Sequence, residues 1–358
     1  MPSSIKPRLP PAPLESAIQS ITESSIESHW VPICKDPELL AGRDATNPVA
    51  YHRTATHEAQ KLRDLGLVPL GDEEDGERSF LQSFWWEPRF GADKTPVKSW
   101  NIVGMLPGNR LEDAGPRRVM TVVGHLDNLS AAEKHDYWVR EGRSLTNYEG
   151  ANDNAASVAA VQDIIRAVKG AGGLNSDLMV LITSAEEEGL KGSEAFAKAP
   201  PIPLDRISAV LNTEMLGFDE CMVYGGANRQ EARNNPLLAR TLDVARENGY
   251  RVIDGLENEG SEGWWGRSDH LHFAKAGVPS VMLLGKPPNG QYHTEEDRIE
   301  NADPARIRDG ARLMLRTLES LDSDPRAQER TASLRPTVAG NFPGRVWSGN
   351  ERPPGIVG

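Results

Sequence analysis

Residues 178–183, Leu-Met-Val-Leu-Ile-Thr, run apolar without interruption, and the chain then reaches three consecutive carboxylates, Glu186, Glu187 and Glu188, before Gly189. Such a run reads as a buried strand. Carboxylates about 4 Å apart repel by about 4 kcal/mol at an effective dielectric of about 20. A buried strand end that holds several therefore demands a cation or a shared proton. Side chains diverge at a strand end, so neighbouring glutamates can take different tasks, one holding a metal and another facing substrate as a general base. The alternative is a solvated acidic helix start favoured by the helix dipole.

Strand and helix patterns alternate around this segment. Residues 99–106, 118–123, 207–211 and 280–284 also read as buried strands, with Trp85-Trp86 in an earlier one. Residues 46–65 read as an amphipathic helix ending near Gly66. Val158, Val161, Ile164, Ile165 and Val168 repeat at helical spacing and stop at Gly170, read as a C-cap. A last helix starts at Pro304 with Asp303 as N-cap. This alternation predicts an α/β three-layer sandwich with a mainly parallel, mixed central sheet flanked by helices. Ligands of such sheets lie beyond the carboxyl ends of the strands, where the acidic cluster falls.

Five prolines in residues 1–13 and an aperiodic stretch from 323 mark the ends as different in texture. The expected organisation is a Pro-rich arm over 1–27, one folded domain over 28–322 and an irregular tail over 323–358, the arms being candidates for homo-oligomer contacts. A net charge of -12 argues against nucleic acid as partner. No stretch reaches about 18 uninterrupted apolar residues and the N-terminus lacks a signal-peptide core, which predicts a cytoplasmic chain without membrane contact. Cys34 and Cys221 are too few for a disulfide framework or a thiolate metal site. Any metal must then be held by His, Asp and Glu.

Residues of that kind recur at strand ends. His125-Leu-Asp127 follows the strand at 118–123, with Asp127 placed to orient the imidazole. Asp153 opens the helix that follows Gly150, as an N-cap or as a ligand. Glu214 closes the strand at 207–211, and His293 follows a loop rich in glycine and proline. Two histidines and three carboxylates, one of them shared, supply three ligands to each of two zinc ions about 3.5–4 Å apart and leave room for a bridging water.

The order His125-x-Asp127, Gly150-Ala-Asn-Asp153-Asn, Ala185-Glu186-Glu187-x-Gly-Leu-x-Gly-Ser193, Asn212-x-Glu214-Met, Ser268-Asp269-His270 and Tyr292-His293-Thr294 resembles the co-catalytic zinc aminopeptidases. Their superfamily also includes glutamate carboxypeptidase II, the glutaminyl cyclases and the transferrin receptor. The resemblance runs over about residues 41–320 and makes residues 28–322 a di-zinc peptidase domain. It implies that Asp153 bridges two Zn2+ ions, with Co2+ or Mn2+ as possible substitutes. His125 and Glu214 then complete one ion and Glu187 and His293 the other. Glu186 becomes the general acid/base and Glu188 a bystander, while Tyr292 is a donor to the developing oxyanion. The implied substrate is a peptide or aminoacyl compound with a free N-terminus. Family members most often carry aspartate where Glu214 stands, and the long interval from Glu133 to Tyr148 is expected to form a lid or pocket wall.

Other residues have competing readings. His270 and His272 are a potential metal pair, yet the motif places His270 outside the ligand shell and His272 reads as structural. Trp264 and Trp265 are candidates for a side-chain pocket or for core. A glutaminyl cyclase would need one zinc, a carboxypeptidase would need a cation such as Arg267 or Lys286 for the substrate carboxylate, and a non-catalytic scaffold would have lost ligands.

Overall fold

Alternation along the strands decides the layering. The structure, a computed structural model, describes residues 14–110, 117–135, 148–218, 220–255, 264–288, 290–324, 344–349, 351–354 and 356. In β-strands successive side chains leave opposite faces. Met120 and Val122 accordingly enter one apolar cluster, which also holds Val158, Val161 and Ile165. Val119 and Val123 enter another, with Phe196 and Phe273. Leu178, Val180 and Ile182 divide from Met179 and Leu181 in the same way. Each fully buried aliphatic side chain contributes about 1.5–3 kcal/mol relative to exposure, so both faces must be covered.

The chain opens with helices α1 (Glu15–Ser20), α2 (Glu23–Lys35), α3 (Pro37–Ala41) and α4 (Pro48–Asp64). Strands β1 (Val68–Pro69), β2 (Glu73–Glu74), β3 (Glu77–Arg78), β4 (Leu81–Trp86), β5 (Val97–Leu106) and β6 (Val119–His125) follow. Then come α5 (Ala156–Gly170), β7 (Asp177–Thr183), α6 (Lys191–Lys198), β8 (Ile207–Glu214), β9 (Glu220–Tyr224), α7 (Arg229–Asn234), α8 (Pro236–Glu247) and β10 (Val252–Asp254). The described chain ends with α9 (His270–Lys275), β11 (Ser280–Lys286), α10 (Pro304–Ser323) and β12 (Val346–Ser348).

Strand order in the main sheet is β10-β9-β11-β8-β6-β7-β5-β4-β12, with β1 paired to β5. The central strands β11, β8, β6 and β7 are parallel, and β5, β4 and β12 extend the sheet antiparallel. This is the expected mixed sandwich. From β6 the chain passes to β7 on one side and then to β8 on the other. The order therefore reverses at β6, which opens a crevice at the carboxyl ends of these strands.

Two sequence expectations shift at element ends. Gly170 lies inside α5, and the left-handed residues that stop the helix are Gly172 and Gly173, whose N–H groups return to Lys169 and Val168 carbonyls. Lacking a Cβ, these glycines take positive φ without strain. The boundary expected at residue 27 falls within α2. Ile18, Ile21, Ile26 and Ile33 bury completely, and the Trp30 indole donates to the Ala151 carbonyl at 2.6 Å. Residues 14–27 thus join the helical layer. Within the expected tail, Val346–Ser348 pairs antiparallel with β4 at the sheet edge. Residues 1–13 and 325–343, to which arm-mediated assembly was assigned, lie outside the described residues. Among the described residues no helix is long and apolar enough to cross a membrane.

Candidate metal centre and active site

His125 is the last residue of β6, Glu214 the last of β8, and Glu186 and Glu187 follow β7 by a tight turn. Strand register sets these ends side by side, with His125 opposite Thr183 and Val123 opposite Asn212. Ala185, Leu190, Met215 and His293 all adopt positive φ without being glycine. Such conformations cost about 1–3 kcal/mol each and persist where the surroundings enforce them, often at functional sites. They bend the chain so that consecutive polar side chains converge. The three glutamates are buried, with Glu186 and Glu187 each 8% exposed and Glu188 1%. A solvated helix start is therefore excluded, since α6 begins only at Lys191.

Asp153 does not cap α5, whose first turn has no side-chain cap. Its two oxygens face different imidazoles. Oδ1 lies 3.2 Å from His125 Nε2, and Oδ2 lies 3.2 Å from His293 Nε2. Glu214 Oε2 stands 3.4 Å from His125 Nε2, and Glu187 Oε2 stands 3.2 Å from His293 Nε2. The structure thus gathers all five expected ligands, with Glu186 Oε2 beside them at 3.9 Å from His125 Nε2.

Hydrogen bonds fix this arrangement. His125 Nδ1 lies 3.0 Å from the main-chain carbonyl of Asp127, which can only accept, so Nδ1 carries a proton and Nε2 is the nitrogen turned to the carboxylates. The Asp127 carboxylate is farther away, at 3.7 Å, and Oδ2 instead accepts the Glu187 N–H at 3.2 Å. Asp127 therefore orients His125 through its backbone and the glutamate turn through its side chain. Glu214 accepts from Asn154 Nδ2 at 2.7 Å, from Asn212 Nδ2 at 3.4 Å and from the Ser268 hydroxyl. Those three donors accommodate the longer glutamate side chain.

Two anchors escaped the sequence reading. Arg43 is fully buried, and its guanidinium donates to the carbonyls of Leu126 at 2.8 Å, Glu149 at 2.6 Å and Asp153 at 3.3 Å. Asp297 accepts the N–H groups of Asn152 at 2.7 Å and Asp153 at 3.0 Å. Asp297 follows His293 by four positions in an acidic run, a weak signal; Arg43 has none.

Electrostatics show what the cluster lacks. Burial disfavours the imidazolium of His125, but Glu214 and Glu186 overcome that and hold its pKa well above the usual value. Burial likewise opposes the His293 charge, and Glu187 reverses the balance. Burial raises Glu186 well above the ordinary carboxylate range, the nearby His125 charge opposing and Glu214 and Glu187 reinforcing. Carboxylates outnumber imidazoles in the cluster, and Glu187 Oε1 has no hydrogen-bond partner. Neutral imidazole nitrogens and carboxylate oxygens are the donor set of reactive zinc sites, so the residues present fit metal ions.

A cleft of about 200 Å³ opens over the cluster, lined by Glu133, Glu186, Glu187, Tyr292, His293 and Arg267 among others. A smaller hollow of about 30 Å³ beside Glu214 shares Glu186, Glu187, Arg267 and Tyr292 with it and meets Met215, Trp264, Met282 and Leu284. A cavity of about 240 Å³ by Leu216, Phe218 and Tyr250 holds none of the clustered imidazoles, so size alone does not mark the site. Tyr292 stacks on His293 with ring centroids 3.8 Å apart, and its hydroxyl accepts from Arg267 Nη2 at 3.3 Å. Trp264 lines the cleft while Trp265 is buried in core. Lys286 ends β11 in register with Glu220 and lines neither part of the cleft.

His270 and His272 do not form a metal pair. His270 Nε2 lies 2.7 Å from the Trp265 carbonyl and His272 Nδ1 3.0 Å from the Ser193 hydroxyl, and burial pushes both pKa values down to about 3. Glu188 is more than a bystander, because Oε2 accepts the N–H of Arg89 at 2.6 Å and so holds the cleft wall. Of the expected lid, residues 136–147 lie outside the described residues, as do residues 256–263, which precede Trp264.

Residues 101–318 match Peptidase family M28. That is more than half of the chain, and the chain belongs to this family. A probable leucine aminopeptidase of Arthroderma otae is 28% identical over 345 residues, 86% of this chain and 92% of the relative. A probable leucine aminopeptidase of Arthroderma benhamiae is 25% identical over 228 residues, 60% of this chain, and the match spans 61% of that relative's length. Among solved structures, a zinc aminopeptidase from Bacillus subtilis is similar at a TM-score of 0.57 and 16% identity, covering 87% of this chain and 96% of that one. A glutaminyl cyclase of Porphyromonas gingivalis is similar at a TM-score of 0.58 and 14% identity, covering 86% and 98%. At such identities the structural likeness concerns the fold.

Proposed function

We propose that the protein is a dinuclear metallo-aminopeptidase that removes the N-terminal residue of peptides. The observation that carries this reading is Asp153, whose two oxygens lie 3.2 Å from different imidazole nitrogens. His125, Asp153 and Glu214 would hold one ion, and Asp153, Glu187 and His293 the other, with zinc the natural occupant and Co2+ or Mn2+ substitutes. When bound, the ions lower the pKa of an attacking water toward about 7 and polarise the scissile carbonyl.

Glu186 takes one proton from that water as its oxygen bonds to the carbonyl carbon. It returns the proton to the leaving nitrogen as the carbon–nitrogen bond breaks. A carboxyl whose pKa burial raises suits both transfers. Tyr292 Oη accepts from Arg267, which leaves its own hydrogen to donate to the developing oxyanion. Asp127 holds both His125 and the glutamate turn in place. Met215, Trp264, Met282 and Leu284 give the site an apolar side, and two relatives are named probable leucine aminopeptidases.

A carboxypeptidase reading is favoured by one observation, the exposed Arg267 guanidinium on the cleft. Free and N-blocked leucyl substrates, each assayed with chelator and with zinc restored, separate the two. The aminopeptidase should cleave only the free-amine substrate, lose activity with chelator and regain it with zinc. Cleavage of N-blocked peptides from the carboxyl end would contradict it. Donors for two ions weigh against a cyclase, and a complete donor set with its base weighs against a scaffold.

A further inference from the structure

Glu133 lies in the long interval between His125 and Asp153, where the sequence suggested a lid or pocket wall. The Ser130 hydroxyl accepts its N–H at 3.1 Å, and the Ser130 carbonyl accepts that of Lys134 at 2.9 Å, fixing a helical turn over 131–135. From that turn the Glu133 side chain lines the cleft together with Glu187 and His293. It is 2% exposed, and Oε2 has no hydrogen-bond partner. An unpaired buried carboxylate costs several kcal/mol unless it keeps its proton or meets a cation. The neighbouring Lys134 ammonium is turned to the Tyr148 ring, 5.6 Å from its centre.

One carboxylate oxygen each from Glu133 and Glu187 and one imidazole nitrogen of His293 lie within 4.8 Å of one another, all buried. Zinc binds oxygen and nitrogen at about 2.0–2.2 Å, so two donors in its tetrahedral shell stand about 3.3–3.6 Å apart. Glu187 and His293 already stand 3.2 Å apart, and Glu133 has at most about 1.5 Å to close. Resting on the dinuclear reading above, we propose that Glu133 is a fourth protein ligand of the ion held by Glu187, His293 and Asp153. That ion is then the more tightly bound of the two, and the ion at His125 and Glu214, with three protein ligands, is lost first on chelation. The interval after His125 thereby contributes a residue to the metal centre itself.

Calorimetric titration of metal-free protein with zinc tests this, comparing wild type with Glu133→Gln and Glu133→Ala. Melting curves of the metal-free forms establish folding, and the near-isosteric glutamine variant carries the test if the alanine variant unfolds. Wild type should show a tight and a weaker site, with the tight site weakened at least about tenfold in the variants and the weaker one unchanged. The visible spectrum of the first bound Co2+ equivalent should change as well. Wild-type affinity and an unchanged cobalt spectrum in both variants would overturn the assignment. If KM for free-amine substrates then rose while zinc binding held, Glu133 would belong to the substrate ammonium instead. Wild type binding no metal at all would defeat the dinuclear reading as a whole.

Discussion

The carboxylate of Asp297 accepts the main-chain N–H of Asp153 at 3.0 Å. The same side chain accepts the N–H of Asn152 at 2.7 Å, so one buried acid sets the backbone from which the shared carboxylate projects. Groups that orient ligands are worth about 10–100-fold in metal affinity. Asp297→Ala should weaken zinc binding by that amount in calorimetric titration. Unchanged affinity would mean that Asp153 is held in place by other contacts.

Arg43 joins three segments through carbonyl oxygens of Leu126, Glu149 and Asp153. Removing it strands buried acceptors, at about 1–3 kcal/mol each. Arg43→Ala should destabilise by at least about 3 kcal/mol in denaturant unfolding. Arg43→Lys should recover little, because an ammonium lacks the planar fork that reaches separate carbonyls.

Glu214 is matched to its surroundings by Asn154, Asn212 and Ser268. Glu214→Asp shortens the side chain by one methylene and pulls it from these donors and from His125. Zinc titration should show the His125 site weakened and the other little changed. A tighter His125 site would show that the longer side chain is not the one this cleft fits.

Glu58 offers a pH test remote from the centre. Burial alone would raise its pKa, but the His57 contact, the Lys61 charge at 3.0 Å and the Gln162 amide outweigh it and hold the value below the ordinary 4.5. A carboxylate with a depressed folded pKa adds stability above its unfolded pKa and loses it as pH falls through the folded value. Glu58→Gln should therefore melt lower than wild type at pH about 7, and the gap should close as the pH drops below 4.5. A gap independent of pH would refute this role.

The strand-end residues were legible because an apolar run ending in an acid or imidazole has few innocent explanations. Their convergence across β6, β7 and β8 followed from parallel pairing, and Asp303 and Pro304 announced α10 by cap chemistry. Contacts made through the main chain left no such trace. Asp127 was expected to orient His125, but a two-residue offset does not say which of its oxygens arrives, and it is the main-chain carbonyl. Arg43 and Asp297 act on backbone groups far away in sequence, where no periodicity links them. Glu188 resembled a spectator because its partners, the N–H groups of Arg89 and Phe90, carry no side-chain signature. Glu133 was absorbed into an interval of unusual length, and only the fold reveals that its side chain reaches the cleft.

Steady-state hydrolysis of a free-amine leucyl substrate by zinc-loaded Glu186→Gln, with metal content and melting temperature measured on the same sample, tests the central claim most directly. Glutamine keeps the shape and removes the proton acceptor. The account predicts a fall in kcat of about 10²–10⁴ with zinc content unchanged. Turnover equal to wild type at equal zinc content would contradict it.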